Sequence, residues 1–359
     1  MKIKSMDKKL IFNQEYKNIK EGFYTSSYFI KTKKIIEQFK KHNDTILQFS
    51  FFRDEPIVLC GVCEIIDILK KTLTPNELKQ IEVYGYKDGD IIQPNTSVLF
   101  FKGPYQIFGK YENIFDGILS RRCSVATNCK EVLDLITTDQ LIFMADRTEN
   151  YNTQPYDGYA AYIAGVRHFV TDASVAFIKN KKEVTVSGTV PHALIQQFNG
   201  DIVAALKAYK ALYKNSPLIA LVDYHNDVIG EIKKLSKHFK KELYAIRIDT
   251  SHALVDRSLT KKKLHGVNPI LVKLARKALN QCGMKNTKII ISSGLKTEDV
   301  KKYLKLNSPV DIYGIGSYLT RDSVHFTADL VYLDGKNEAK VGRKLSLPIK
   351  KLTKLTRYI

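Results

Sequence analysis

Leu218–Thr250, LIALVDYHNDVIGEIKKLSKHFKKELYAIRIDT, decides the fold class, because it reads as a strand, a helix and a second strand in succession. LIALVDY and LYAIRIDT are short runs rich in apolar and β-branched residues, as strands covered on both faces are. EIKKLSKHFKK between them carries apolar residues at helical spacing with lysines on the other face. The same pattern extends outward in both directions. LIFMADR (141–147), VTVSG (184–188), KIIISSGL (288–295) and VDIYGIGS (310–317) are further short apolar runs, and HFVTDASVAFI (168–178) adds one more. Helices are legible between them, including IVAALKAYKALYK and a segment opened by Asn268-Pro269 and closed by Gly283. About seven such units in under roughly 200 residues predict an α/β barrel of parallel strands over 136–330.

The residues before this region lack that rhythm. A helix capped by Thr25 or Ser26, with Phe29, Ile36 and Phe39 on one face, precedes the alternating strand TILQFSFFR. Thr74-Pro75-Asn76-Glu77 is a capping box with proline at the first helical position, and further strands turn at Asp88-Gly89 and Pro94-Asn95. Residues 1–135 therefore predict a separate α+β domain, an α/β sandwich, which the tail 331–359 joins.

Composition narrows the function classes. The 359 residues carry a net charge of +20, but the lysines are spread as pairs and triplets such as Lys33-Lys34 and Lys261-Lys262-Lys263. A nucleic-acid binder concentrates its charge beside aromatic or motif signatures, so no specific nucleic acid is expected, and a basic RNA-binding protein is the distant rival. No apolar run approaches the ~18 residues of a membrane span. The basic N-terminus has no apolar stretch of the secretory kind, and five cysteines fit a reducing cytoplasm. Cys60 and Cys63 have no second pair at zinc spacing, so no metal held by cysteine and no zinc is expected.

Chemistry concentrates where the apolar runs end. In order these ends offer Asp146-Arg147, Thr189 to His192, Asp223, Arg247 with Asp249, Ser293-Gly294 with Lys296, and Gly314 to Ser317. In a barrel the C-terminal strand ends converge on one mouth. A solvated histidine beside a turn, or an arginine paired with the next aspartate, explains each residue singly. A run of charged strand ends is harder to explain by packing, since buried charges need partners. His192 follows Ser187-Gly188-Thr189 and Pro191 at the start of a helix, a position that favours a neutral, nucleophilic imidazole. The late glycine turns offer main-chain N–H groups to a phosphate. Arg147 and Arg247 can grip a carboxylate or phosphate, and Asp223 and Asp249 sugar hydroxyls or a Mg²⁺-bound water. The residues alone imply a barrel enzyme for a phosphorylated, anionic substrate.

With these residues in hand, the chain resembles the nicotinate phosphoribosyltransferases, type II phosphoribosyltransferases. The resemblance rests on GTVPHAL (188–194), YFIKTKKII from Tyr28, GDIIQPNTSVLFFKGPY, ILSRRCSVATN, RIDT (247–250), SSGLKTEDV and DIYGIGS, in family order from about 20 to 330. It implies an irregular seven-stranded α/β barrel beside an N-terminal α/β domain, and a homodimer with shared active sites. The implied reaction joins nicotinate to 5-phosphoribosyl 1-pyrophosphate with Mg²⁺, coupled to ATP hydrolysis through a phosphohistidine at His192. Tyr28, Arg147 and Thr189 would hold nicotinate; Asp223, Arg247 and Asp249 would serve catalysis; Ser293, Gly294, Lys296, Gly314, Gly316 and Ser317 would bind phosphate. Nicotinamide or quinolinate is the alternative base. Glu149 stands where relatives carry a histidine after Arg147, and the altered VDYHND stretch leaves His225 without an implied role.

Overall fold

The computed structural model describes residues 12–346 and 352–358. Contacts divide the chain into two units. One holds residues up to Lys130, Tyr159–Ala164 and the chain from Arg321 onward; the other holds Glu131–Gly158 and Gly165–Thr320.

The first unit is built on a five-stranded antiparallel sheet in the order Phe326–Leu333, Asp44–Phe51, Ser97–Pro104, Glu82–Gly85, Thr353–Lys354. The second strand is not the half-exposed strand its alternation predicts: Ile46 through Phe49 are all buried. One reason is the C-terminal segment, where Ser346 N–H and Lys344 C=O bond the buried Gln48 amide. The Thr74 box forms with Pro75 at the first helical position. Phe29 is buried, whereas Phe39, expected on the same face, closes the helix Ser27–Gln38 and is exposed. Cys60, Cys63 and Cys123 are buried, and Cys123 Sγ donates to Cys60 C=O at 3.3 Å.

The helix Glu112–Leu133 carries two carboxyls raised to about 7, Glu112 and Asp116. Burial is the main cause for both; Asp116 adds to the rise of Glu112, and Asp329 to that of Asp116. Both folded values exceed the ordinary range near 4, so between about pH 4 and 7 the folded state holds more protons than the unfolded one. Stability therefore falls as pH rises through that window, and the loss is complete above it. Asp116→Asn is expected to raise the melting temperature more at pH 8 than at pH 5. An equal gain at both would contradict this origin.

The second unit contains seven strands, all paired in parallel. In chain order they are Leu141–Phe143, His168–Phe169, Thr185–Val186, Leu218–Leu221, Leu243–Ile248, Lys288–Ile291 and Ile312–Ile315. In the sheet they run third, second, first, seventh, sixth, fifth, fourth. The first strand thus pairs with the last, as barrel closure requires, while the third and fourth stand at the two edges. The seam falls at the weakest strand: Thr185 and Val186 are both exposed, so VTVSG is an edge and not a covered strand. Ile142, Ile219, Ala245, Ile290 and Ile312 form an interior core. The expected seven-stranded α/β barrel is therefore present in irregular, open form. The helix Pro269–Gln281 begins as read: Asn268 accepts from Ile270 and Leu271 N–H, and Gly283 follows with φ of +75°. Among the described residues no helix is long and apolar enough to cross a membrane.

Candidate functional site

Parallel register brings the polar tips of the barrel together. Arg247 lies level with Leu221 on one side and Ile290 on the other. Two residues further on, Asp249 therefore stands beside Asp223 and Ser292. Side chains in a strand alternate, so Arg247 and Asp249 share a face. The Arg247 guanidinium donates from Nε to Ser292 Oγ at 2.9 Å, from Nη1 to Thr189 Oγ1 at 3.0 Å and from Nη2 to Asp249 Oδ2 at 3.0 Å. Ser292 Oγ in turn donates to Asp249 Oδ1 at 2.5 Å. The Arg247 and Asp249 side chains are only 14% and 20% exposed, so this pairing is far drier than a surface ion pair.

Beside this clasp is a cavity of about 190 Å³. Its apolar wall is Ile142, Met144, Val170, Pro191 and Ile219; its polar wall is Asp146, Arg147, Ser187, Thr189 and Arg247, with Gly188 between. Arg147 is exposed to the cavity and has no ion-pair partner among the described residues. Arg247, by contrast, is held in place.

His192 opens the helix His192–Gln197, with Pro191 at the capping position and not inside the first turn. Its Nε2 lies 3.2 Å from Asp223 Oδ1. An ionised carboxylate only accepts, so in the neutral ring the proton is on Nε2 and the lone pair on Nδ1. The Asp223 side chain is 6% exposed. Burial raises its carboxyl above the ordinary value, opposed by His192 and reinforced by Asp249.

The late turns are more crowded than the sequence implies. Gly314 lies within the last strand, and a Cβ there would stand 2.5 Å from the end of the Met144 side chain. At Gly316 it would stand 2.7 Å from the Met144 carbonyl oxygen, so close packing alone demands glycine. Ser317 is exposed at the start of the short helix Ser317–Thr320. Lys296 is exposed at the capping position of the helix Thr297–Lys305, where the Asp299 carboxylate accepts its main-chain N–H at 2.9 Å. Ser293 and Gly294 have φ of +86° and +69°.

The barrel unit thus unites Thr189, Arg247 and Asp249 directly, joins His192 to Asp223, and sets Arg147 at the same cavity as Arg247. Tyr28 belongs to the other unit, 60% exposed on the helix Ser27–Gln38 with its ring against Phe29. Glu149 is exposed near Arg147. His225 Nδ1 is bonded to the buried Glu231 Oε1 at 2.8 Å, a pairing the sequence did not signal. Ser292 was also missed as a member of the clasp. The available signal was its position one residue after the KIII run, level with Asp249.

A model of the N-terminal domain of quinolinate phosphoribosyl transferase matches residues 27–123. A nicotinate phosphoribosyltransferase of Mycobacterium tuberculosis is 26% identical over 301 residues, 80% of this chain and 60% of the relative. One from Bacillus subtilis is 24% identical over 242 residues, 66% of this chain and 45% of its own length. The chain thus spans about 60% of the first of these relatives and less of the second. Among solved structures, a nicotinate-nucleotide pyrophosphorylase from Pyrococcus furiosus aligns with TM-score 0.78 and 28% identity, over 95% of this chain and 82% of that one. Human nicotinic acid phosphoribosyltransferase aligns with TM-score 0.65 at 13% identity over 90% and 77%, a likeness of fold.

Proposed function

We propose that this chain, which belongs to the type II phosphoribosyltransferase family, joins nicotinate to 5-phosphoribosyl 1-pyrophosphate, giving nicotinate mononucleotide and pyrophosphate for NAD salvage. The observation that carries this reading is the cavity with its two arginines, Arg147 unpaired and Arg247 clasped. Apolar walls with one uncommitted guanidinium suit a flat aromatic ring bearing one carboxylate. Departure of pyrophosphate leaves positive charge on the ribose carbon. Asp249 and Asp223 at the strand ends can stabilise it, so the work of the site is alignment and electrostatics.

Two further elements of the reading rest on His192 and Tyr28. The free Nδ1 of His192, oriented by Asp223, is suited to take the γ-phosphoryl group of ATP as ADP leaves; hydrolysis then restores the ring. Mg²⁺ would be carried by the pyrophosphate, which it neutralises, with Asp223 and Asp249 as the carboxylates nearest at hand. Among the described residues no group of three acidic, histidine or cysteine side chains is arranged to hold a metal by itself. Tyr28 and Ile35 are exposed on one face of the helix Ser27–Gln38, and Phe39 is exposed just past its end. That face supports a homodimer in which Tyr28 stacks on the partner subunit's pyridine ring; the reading places the enzyme in the cytoplasm.

Quinolinate is the second reading, favoured by the N-terminal model. Its two carboxylates fit this cavity less well. Arg247 is already neutralised by Asp249, and Asp146 adds a negative charge. Supplying 5-phosphoribosyl 1-pyrophosphate with nicotinate, nicotinamide or quinolinate one at a time, with pyrophosphate release and consumption of each base read, tests the choice. Nicotinate mononucleotide formed fastest from nicotinate is expected; faster use of either other base would reject it.

His192→Ala is expected to retain slow synthesis and to lose its stimulation by ATP. Stimulation of the variant equal to that of the wild type would remove His192 from the coupling.

A further inference from the structure

The Ser293–Gly294 turn has a feature that ordinary chain reversal does not require. Serine at φ of +86° is strained, and strain of this kind is retained where the surroundings enforce it. The helix after the turn cannot supply the positive field for an anion unaided. Glu298 and Asp299 occupy its first turn, and Asp299 already takes the Lys296 N–H. A phosphoryl dianion at the turn meets these carboxylates, and beside the exposed Lys296 it gains most from a donor on another element.

His252 stands where that donor is needed. It lies on the loop after the fifth barrel strand and is exposed. Its imidazole covers Gly294: Nε2 is the atom nearest to where a Cβ on that glycine would stand, at 3.6 Å, with Cδ2 next at 3.8 Å. On its other side, Nδ1 is 3.0 Å from the corresponding point on Gly266, whose φ is +63°. The ring is thus seated between two left-handed glycines, one of them in the turn itself. Among the described residues no hydrogen bond engages either ring nitrogen. A histidine serving only to support a loop commonly spends a nitrogen on that loop. This one keeps both available while resting on the turn.

We propose that His252 is a phosphate-contacting residue that donates from Nε2 to the 5-phosphate of the phosphoribosyl substrate as that group sits on the Ser293–Gly294 turn. This deepens the proposed function and rests on it. The 5-phosphate is unchanged by the reaction, so its grip is equal in the ground state and the transition state. Losing it raises KM for the sugar substrate and leaves kcat nearly unchanged.

The test uses the full chain as wild type, His252→Ala and His252→Gln. Titration calorimetry with ribose 5-phosphate, and with ribose as the phosphate-free control, is paired with steady-state kinetics. Ribose 5-phosphate affinity is expected to fall at least about tenfold in His252→Ala, as for loss of a charge-assisted hydrogen bond. His252→Gln, whose amide still donates, should fall between. KM for 5-phosphoribosyl 1-pyrophosphate should rise in parallel, with kcat within about twofold and KM for nicotinate unchanged. A folding defect would lower kcat and leave both KM values where they were, and that pattern would count against the contact. Undiminished ribose 5-phosphate binding in both variants overturns the role of His252 and leaves the proposed function intact. A wild type that neither binds ribose 5-phosphate nor forms nicotinate mononucleotide defeats both.

Discussion

Arg247→Ala is expected to lower kcat/KM by at least about 100-fold, near 3 kcal/mol of transition-state stabilisation. The guanidinium joins three strand ends: Thr189 after the third strand, Asp249 just past its own strand and Ser292 after the sixth. Removing it leaves a largely buried carboxylate at Asp249 with only Ser292 and shortens one wall of the cavity. Breaking a buried charge pair from one side costs several kcal/mol because the remaining charge stays buried. Arg247→Lys is informative beside it. A lysine keeps the charge but cannot present the planar fork that reaches three acceptors at once, so it should recover only a minor part of the activity. Kinetics on both variants, with melting curves to exclude unfolding, check this. An Arg247→Ala enzyme within threefold of wild type would displace the clasp from the reaction.

The clasp also marks what could be read from the sequence. A short apolar run ending in Arg-x-Asp places two side chains on one face of a strand, and barrel convergence brings that tip to the mouth. Both follow from local periodicity and chain connectivity. The order in which Arg247, Asp249 and Thr189 meet depends on sheet register, which no local pattern states. For that reason Ser292 was missed, although it lies one residue after a legible strand. The same limit hid the helices Glu112–Leu133 and Gln154–Ala164. Their sequences, ENIFDGILSRRCSVATNCKEVL and QPYDGYAAYIA, mix small, polar and aromatic residues without a clear apolar stripe. Burial by neighbouring elements, more than local propensity, holds such segments helical. His252 was likewise invisible, since only folding sets it over a glycine 42 positions further along the chain.

Two glycines in those helices are expected to respond to alanine in opposite directions. Gly158→Ala, in Gln154–Ala164, puts a Cβ 1.9 Å from the Ser174 carbonyl oxygen and 2.5 Å from its carbon. The obstacle is main chain, which cannot rotate aside as the end of a side chain can. The helix or the Ala173–Val175 turn must shift, at a cost expected to exceed about 3 kcal/mol. In a unit of this size that corresponds to a fall in melting temperature of roughly 6–12 °C. Gly117→Ala, in Glu112–Leu133, meets nothing within 4 Å. There alanine removes only the excess chain entropy of glycine and should stabilise by about 0.5–1 kcal/mol. On sequence alone the two positions are equivalent, each a glycine with a helical penalty; the difference is whether another backbone occupies the missing side chain's volume. Thermal melts of the two variants decide it, and a Gly158→Ala protein as stable as wild type would mean that the helix does not lie against Ser174.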